Sequence, residues 1–197
     1  MQQAPKTDLQ TIRAALEANT RLTSLSGAAM LASGLLTFFA AGITSTFGLA
    51  EPASRVGLHG EMLTKMVILW SATFAVAVGL NLAGMVFRAH RDGQSLAMRL
   101  GRRFLFAMLP ALAVGGALSL GLALKGDLES IFAIWMLAYG AALLAASAHS
   151  ITSIRMLGVL ALAGGVMGIL PGLELDFVLF LGTFGAGHFL LGVWVGI

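Results

Sequence analysis

Residues 65–87 read KMVILWSATFAVAVGLNLAGMVF, and after Lys65 no charged side chain occurs until Arg88. A helix of that length rises 1.5 Å per residue and covers about 30 Å, the hydrocarbon thickness of a bilayer. Working outward, apolar stretches of the same character occupy residues 24–48, 104–124, 130–148, 156–171 and 177–197. The fifth of the six is short unless Ile154 and Arg155 join it, with the arginine head snorkelling to the interface. All six are continuous and lack the alternation, over about 10 residues, of a transmembrane β-strand. The expected fold is therefore all-α, a polytopic membrane helix bundle of about six transmembrane helices.

Composition points the same way. The chain has 197 residues, 58% hydrophobic and only 11% charged, with a mean hydropathy of +0.91. Soluble domains carry about 25% charged residues, and a soluble chain this short has no core large enough for so much apolar surface. The 25 glycines would weaken helices in water, but in lipid they let helix backbones approach closely. With no cysteine, disulfides, thiolate metal sites and thiol catalysis are excluded. The net charge of +3 resides in membrane-flanking segments, so nucleic acid is not an expected partner and membrane lipids are.

The distribution of charge gives an orientation. With the N-terminus in the cytoplasm, the inner segments hold Lys6, Arg13, Arg21, Arg88, Arg91, Arg99, Arg102, Arg103 and Arg155, and the outer ones only Arg55, Lys65 and Lys125. Nine basic residues against three is the positive-inside pattern. It predicts a multi-pass protein of the bacterial inner membrane with both termini cytoplasmic. The first apolar run exceeds a signal-peptide core in length and is expected to act as an uncleaved signal anchor.

Residues 1–23 are expected to form a cytoplasmic amphipathic helix ahead of a transmembrane domain at 24–197. Thr7 and Gln10 match a capping box; Leu9, Ile12 and Leu16 then share one face, which suits the headgroup plane, a solvated helix that docks a cytoplasmic partner being the alternative. Between the second and third spans, Leu96, Leu100 and Phe104 share a helical face while Arg99, Arg102 and Arg103 project elsewhere. These arginines are candidate contacts for anionic headgroups; an acidic protein partner is the other reading.

The spans can also be read as three repeated helical hairpins. Gly27, Leu31, Ala32 and Gly34 recur in spacing as Gly158, Leu162, Ala163 and Gly165, and Gly115-Gly116 answers Gly164-Gly165. The even spans share an aromatic pair four residues apart: Trp70/Phe74, Trp135/Tyr139 and Phe180/Phe184. For helix packing, Gly164, Gly168 and Gly172 read as one GxxxGxxxG ridge, with Gly192 and Gly196 repeating the spacing in span six. Packing of spans five and six on each other is the plainer use of these ridges; homo-oligomer contact is the alternative.

An ionisable residue inside a membrane is a functional candidate by default. His188 lies near the middle of span six, amid Gly185 and Gly187. An imidazole titrates near neutral pH and suits a proton relay, but histidine is also ordinary interhelical hydrogen-bonding glue. Asn81 and Tyr139 lie at comparable depth, and the three form a candidate intramembrane polar cluster. His90 and His149 fall at cytoplasmic span ends, two ligands where zinc usually takes three or four from protein. His188 has no histidine at matching depth, so haem is not expected. Glu174 and Asp176 read as a solvated loop at the outer interface. The spans lack central Asp, Glu or Lys, and the chain lacks a Walker A sequence, HExxH and GxSxG. An enzyme is not expected.

The stretch LAASAHSITSIRMLG at 144–158, with Leu170-Pro171-Gly172, then FGAGH at 184–188 and Gly192, resembles a family of uncharacterised bacterial six-span membrane proteins. The opening Ser24-Leu25-Ser26-Gly27 is similar too, and more loosely the hairpin pattern resembles the HdeD-like acid-resistance membrane proteins. This chain departs from the family's usual pattern at Ala145 and His149. The resemblance implies a fold and a compartment rather than a reaction. It places His188 and Arg155 in shared motifs, and Ser147, Ser153 and Arg155 become candidates for tying the cytoplasmic turn between spans four and five. Two functions are expected to compete: a structural or accessory protein, such as a small subunit of a larger membrane complex, and a small transporter or channel with a polar centre around His188.

Overall fold

The computed structural model describes residues 25–48, 60–91, 95–125 and 130–196, and every regular element among them is helical. The helices are α1 (Gly27–Thr46), α2 (Glu61–Arg91), α3 (Ser95–Lys125), α4 (Ile131–Ala146), α5 (Thr152–Ile169) and α6 (Asp176–Gly196). Among the described residues, all but α4 are long and apolar enough to cross a membrane, and α4 is a shorter apolar helix. The amphipathic segment expected at 1–23 lies outside the described residues. The basic stretch between spans is more helical than hydropathy alone suggests: α2 continues to Arg91 and α3 begins at Ser95. Apolar content marks only the hydrocarbon layer, whereas intrahelical hydrogen bonding continues through a polar turn.

Packing runs round a ring. α2 lies on α1, α1 on α6, α6 on α5, α5 on α4 and α4 on α3, while α3 and α2 meet only sparsely. The bundle therefore has a seam between α2 and α3. Most of α4 is covered: Phe132, Ala133, Met136, Ala142, Leu143 and Ala146 are all buried, and Ala141 and Ala145 are exposed. A helix apolar on every side suits that central place.

Glycines set the closest approaches. A Cβ on Gly192 of α6 would stand 2.6 Å from the Leu31 nitrogen and 2.7 Å from the Gly27 oxygen of α1. A Cβ on Gly140 of α4 would stand 2.6 Å from the Leu162 nitrogen and 2.8 Å from the Gly158 oxygen of α5. The two antiparallel interfaces are thus built alike, with Gly27/Leu31 and Gly158/Leu162 in the same places. Gly196 also lies against Gly27, so Gly192 and Gly196 serve α1 rather than span five. Gly164 faces the Met136 sulfur and the Thr183 hydroxyl, and Gly168 faces Asp176 and Ala133. The expected three-glycine ridge ends there. Gly172 lies in the turn beyond α5, at φ +83°, with open space where its Cβ would be; Pro171 cannot continue a helix and precedes it.

The chain ends of the helices are tied by polar groups. The Ser26 hydroxyl caps α1 by accepting from the Ala29 N–H at 3.3 Å, a contact that satisfies one of the first-turn donors. Arg88 of α2 donates to the Leu25 carbonyl just before α1. At the far end of α2, Lys65 and Glu61 form an exposed ion pair at 2.7 Å, a kind worth little in stability. Asp176 corrects the expected solvated loop: it opens α6 with only 3% of its surface exposed, packed on Gly168, while Glu174 stays exposed. Position 176 is where the α5–α6 turn folds back on α5, and a short side chain at that approach is enclosed.

Candidate functional site: a polar and aromatic centre beside an open seam

In α6 the sequence Leu181–Gly187 adopts a π-helical turn between two α-helical segments. Such turns are uncommon and often mark functional positions. Here it sets Phe180, Phe184 and His188 in one stack, with centroids 4.5 Å and 5.9 Å apart. Gly185 within it has no side chain to strike the Phe38 ring, which would lie 2.7 Å from a Cβ. The glycine-rich sequence is thus what lets the widened turn sit against α1.

His188 is buried, 8% exposed. Its Nε2 lies 2.7 Å from the Tyr139 hydroxyl and its Nδ1 lies 3.4 Å from the Thr183 carbonyl. A carbonyl only accepts, so Nδ1 carries a hydrogen and the Tyr139 hydroxyl donates to Nε2. Both ring nitrogens are satisfied without a counter-ion. Asn81 is bonded separately: its Nδ2 donates to the Ser33 hydroxyl at 2.8 Å and to the Ala77 carbonyl at 2.9 Å. Ser33 in turn donates to the Ala29 carbonyl at 2.8 Å.

These two bonded groups face one cavity of about 160 Å³, whose wall includes Ser33, Asn81, Tyr139 and His188. Hydropathy singled out Asn81, Tyr139 and His188 by depth but offered no view of Ser33 or Thr183, which complete their bonding. Hydroxyls are common in apolar helices, and nothing in their spacing shows which ones face inward.

The aromatic pairs of the even helices also meet. Trp70 contacts Phe180 edge-on at 5.1 Å, Phe74 lies 5.7 Å from Trp135, and Tyr139 lies 4.7 Å from Phe184. A second, larger cavity of about 380 Å³ opens beside this assembly, at the α2–α3 seam, and shares Thr37, Phe74, Ala77 and Phe184 with the first.

The remaining candidates lie apart from this centre. Arg102 and Arg103 are exposed on the first turns of α3, and Arg99 belongs to the same helix. Ser147 donates to the Leu144 carbonyl at 2.7 Å within its own turn. Ser153 lies in the first turn of α5 and is half-buried, and Arg155 is exposed with no hydrogen bond or ion pair among the described residues. The three are thus not joined there into one bonded turn. His90 is exposed at the end of α2, and among the described residues no three metal-ligating side chains gather. Compared with known proteins, the chain matches no family model, no curated protein and no solved structure. The class that fold and site define is a helical membrane protein with an aromatic centre.

Proposed function

We propose that the chain is a structural or accessory integral membrane protein, a small subunit that joins a larger complex in the bacterial inner membrane. The observation that carries this reading is the internal closure of the polar centre. Tyr139, His188, Asn81 and Ser33 each find a partner inside the bundle, as interhelical glue does. A proton path instead needs a relay of ionisable groups. Kinship with the six-span family and with the HdeD-like proteins, on the residues quoted above, belongs to the same proposal.

The proposal includes six crossings. Helix α4 has 16 residues and runs into the 3₁₀ turn Ser147–His149. At about 1.5 Å and then about 2 Å per residue, the two together reach roughly 30 Å. The excess of basic residues in the inner segments supports cytoplasmic termini. Mild extraction of the tagged protein, with particle mass and identification of what co-purifies, tests the role. A stoichiometric larger partner is expected; a lone monomer or a homo-oligomer overturns the accessory reading.

One observation favours a second reading, a small transporter. The cavity lined by Asn81, Tyr139 and His188 adjoins the larger one at the seam, which is how a polar path through the bundle would begin. Flux through the reconstituted protein that disappears in His188→Ala supports it. A variant that loses only thermal stability counts against it.

A further inference from the structure

We propose that the α2–α3 seam binds a membrane-soluble molecule that carries a hydrogen-bond-accepting carbonyl on an apolar body. This goes beyond the accessory role and does not rest on it.

The first observation concerns unsatisfied polar atoms. Among the described residues, the Trp70 indole nitrogen and the Ser119 hydroxyl are buried without a hydrogen-bond partner, and both residues belong to the wall of the larger cavity. Ser119 is 8% exposed. Its neighbours in kind behave differently: the buried hydroxyls of Ser33, Thr37, Thr44 and Thr73 each donate to the carbonyl four residues earlier. That return bond is the ordinary refuge of a hydroxyl in an apolar helix. Ser119 does not take it, and an unmade bond in a low-dielectric setting costs free energy unless a ligand completes it.

The second observation is position. Trp70 lies five residues into α2 from Lys65, and Ser119 six residues before Lys125 at the same end of α3. Both therefore stand roughly 8 Å inside the charged edge of the bundle. Phe132 and Phe180 hold the Trp70 ring edge-on at 5.6 Å and 5.1 Å, which fixes the direction of its N–H. The indole nitrogen can only donate, so the ligand must supply an acceptor.

The third observation is shape. A cavity of about 380 Å³ falls in the usual size range of small-molecule sites. Val67, Phe74 and Leu120 on its rim are 46%, 41% and 61% exposed, so it opens sideways, toward lipid. Gly116 lines it too, and a Cβ there would meet nothing within 4 Å. The carbonyl could come from a glycerolipid ester or from a quinone-type ring, and the two sources share this recognition chemistry.

Native mass spectrometry of the full chain in detergent separates these sources. The probes are an ester-linked dioleoyl phosphatidylglycerol, its ether-linked analogue and a short-chain benzoquinone. Retention of the ester lipid over the ether, or of the benzoquinone, is expected and names the source. Trp70→Phe and Ser119→Ala should each lower that retention about three- to tenfold, the loss of one hydrogen bond. Ser119→Ala gives up no bond within the protein, so its melting temperature should hold and the loss cannot be ascribed to unfolding. Gly116→Phe should block the seam and abolish retention. Equal retention of ester and ether lipids with no benzoquinone bound overturns the proposal. So does wild-type retention in Trp70→Phe and Ser119→Ala.

Discussion

At the scale of single residues, the centre of the bundle contains two bonded groups of unequal resilience. Tyr139→Phe leaves the Nε2 of buried His188 with no donor, because its other ring nitrogen is already committed to Thr183. Ser33→Ala takes away one acceptor of Asn81, whose Nδ2 keeps the Ala77 carbonyl. Hydrogen bonds between membrane helices contribute about 0.6 kcal/mol on average and up to about 1.7. Tyr139→Phe is therefore expected to cost about 1 kcal/mol or more and Ser33→Ala clearly less. Unfolding of the purified protein in mixed micelles measures the order; the reverse order would mean that Asn81, not His188, depends on its interhelical bond. The sequence made Asn81, Tyr139 and His188 conspicuous because polar atoms are rare in apolar runs. It left Ser33, Thr183 and Ser119 indistinguishable from other hydroxyls, since a serine that returns to its own helix and one that does not have the same letter. Asp176 shows the converse limit: an acid beside a turn reads as solvated, and only the fold-back of α6 on α5 encloses it.

Helices are where the glycine spacing acquires its meaning. Hydropathy located the apolar body of each helix well, but the side that each presents to a neighbour depends on rotation, which hydropathy does not report. Gly192 and Gly196 were conspicuous as a ridge, yet their partner is α1, distant in sequence. Gly27/Leu31 and Gly158/Leu162 each receive a glycine from an antiparallel helix, at nearly equal distances. Gly192→Ala and Gly140→Ala are expected to destabilise by about 1–3 kcal/mol, since backbone atoms rather than flexible side chains meet the new methyl group. Gly121→Ala in α3, with nothing within 4 Å of the added Cβ, should be neutral or stabilise by up to about 1 kcal/mol through helix propensity. Parallel melts of the three variants check this. If Gly121→Ala is as harmful as Gly192→Ala, close packing does not explain the glycine content.

At the scale of the whole molecule, α4 decides the topology. Packed centrally between α3 and α5, it either crosses the bilayer, giving six spans, or leaves its two ends on one side. The absence of native cysteine makes single-cysteine labelling free of background. Leu124, Arg91, Ala148 and Leu173 are all exposed positions at helix ends or connections. With six spans and cytoplasmic termini, Leu124→Cys and Leu173→Cys should react with an impermeant maleimide in intact cells, and Arg91→Cys and Ala148→Cys only after permeabilisation. Labelling of Ala148→Cys together with Leu124→Cys in intact cells would place both ends of α4 outside. The basic residues after α2 would then no longer match those after α4 in compartment, and the nine-to-three asymmetry would lose Arg155 from its inner side. That result would also contradict the lengthwise, antiparallel packing of α4 on α5, where Gly140 meets Gly158 and Leu162 while Gly165 meets Leu137. The seam is untouched by that result: with Leu124 outside and Arg91 inside, α2 and α3 both still cross side by side, so a lipid carbonyl can reach the depth of Trp70 and Ser119.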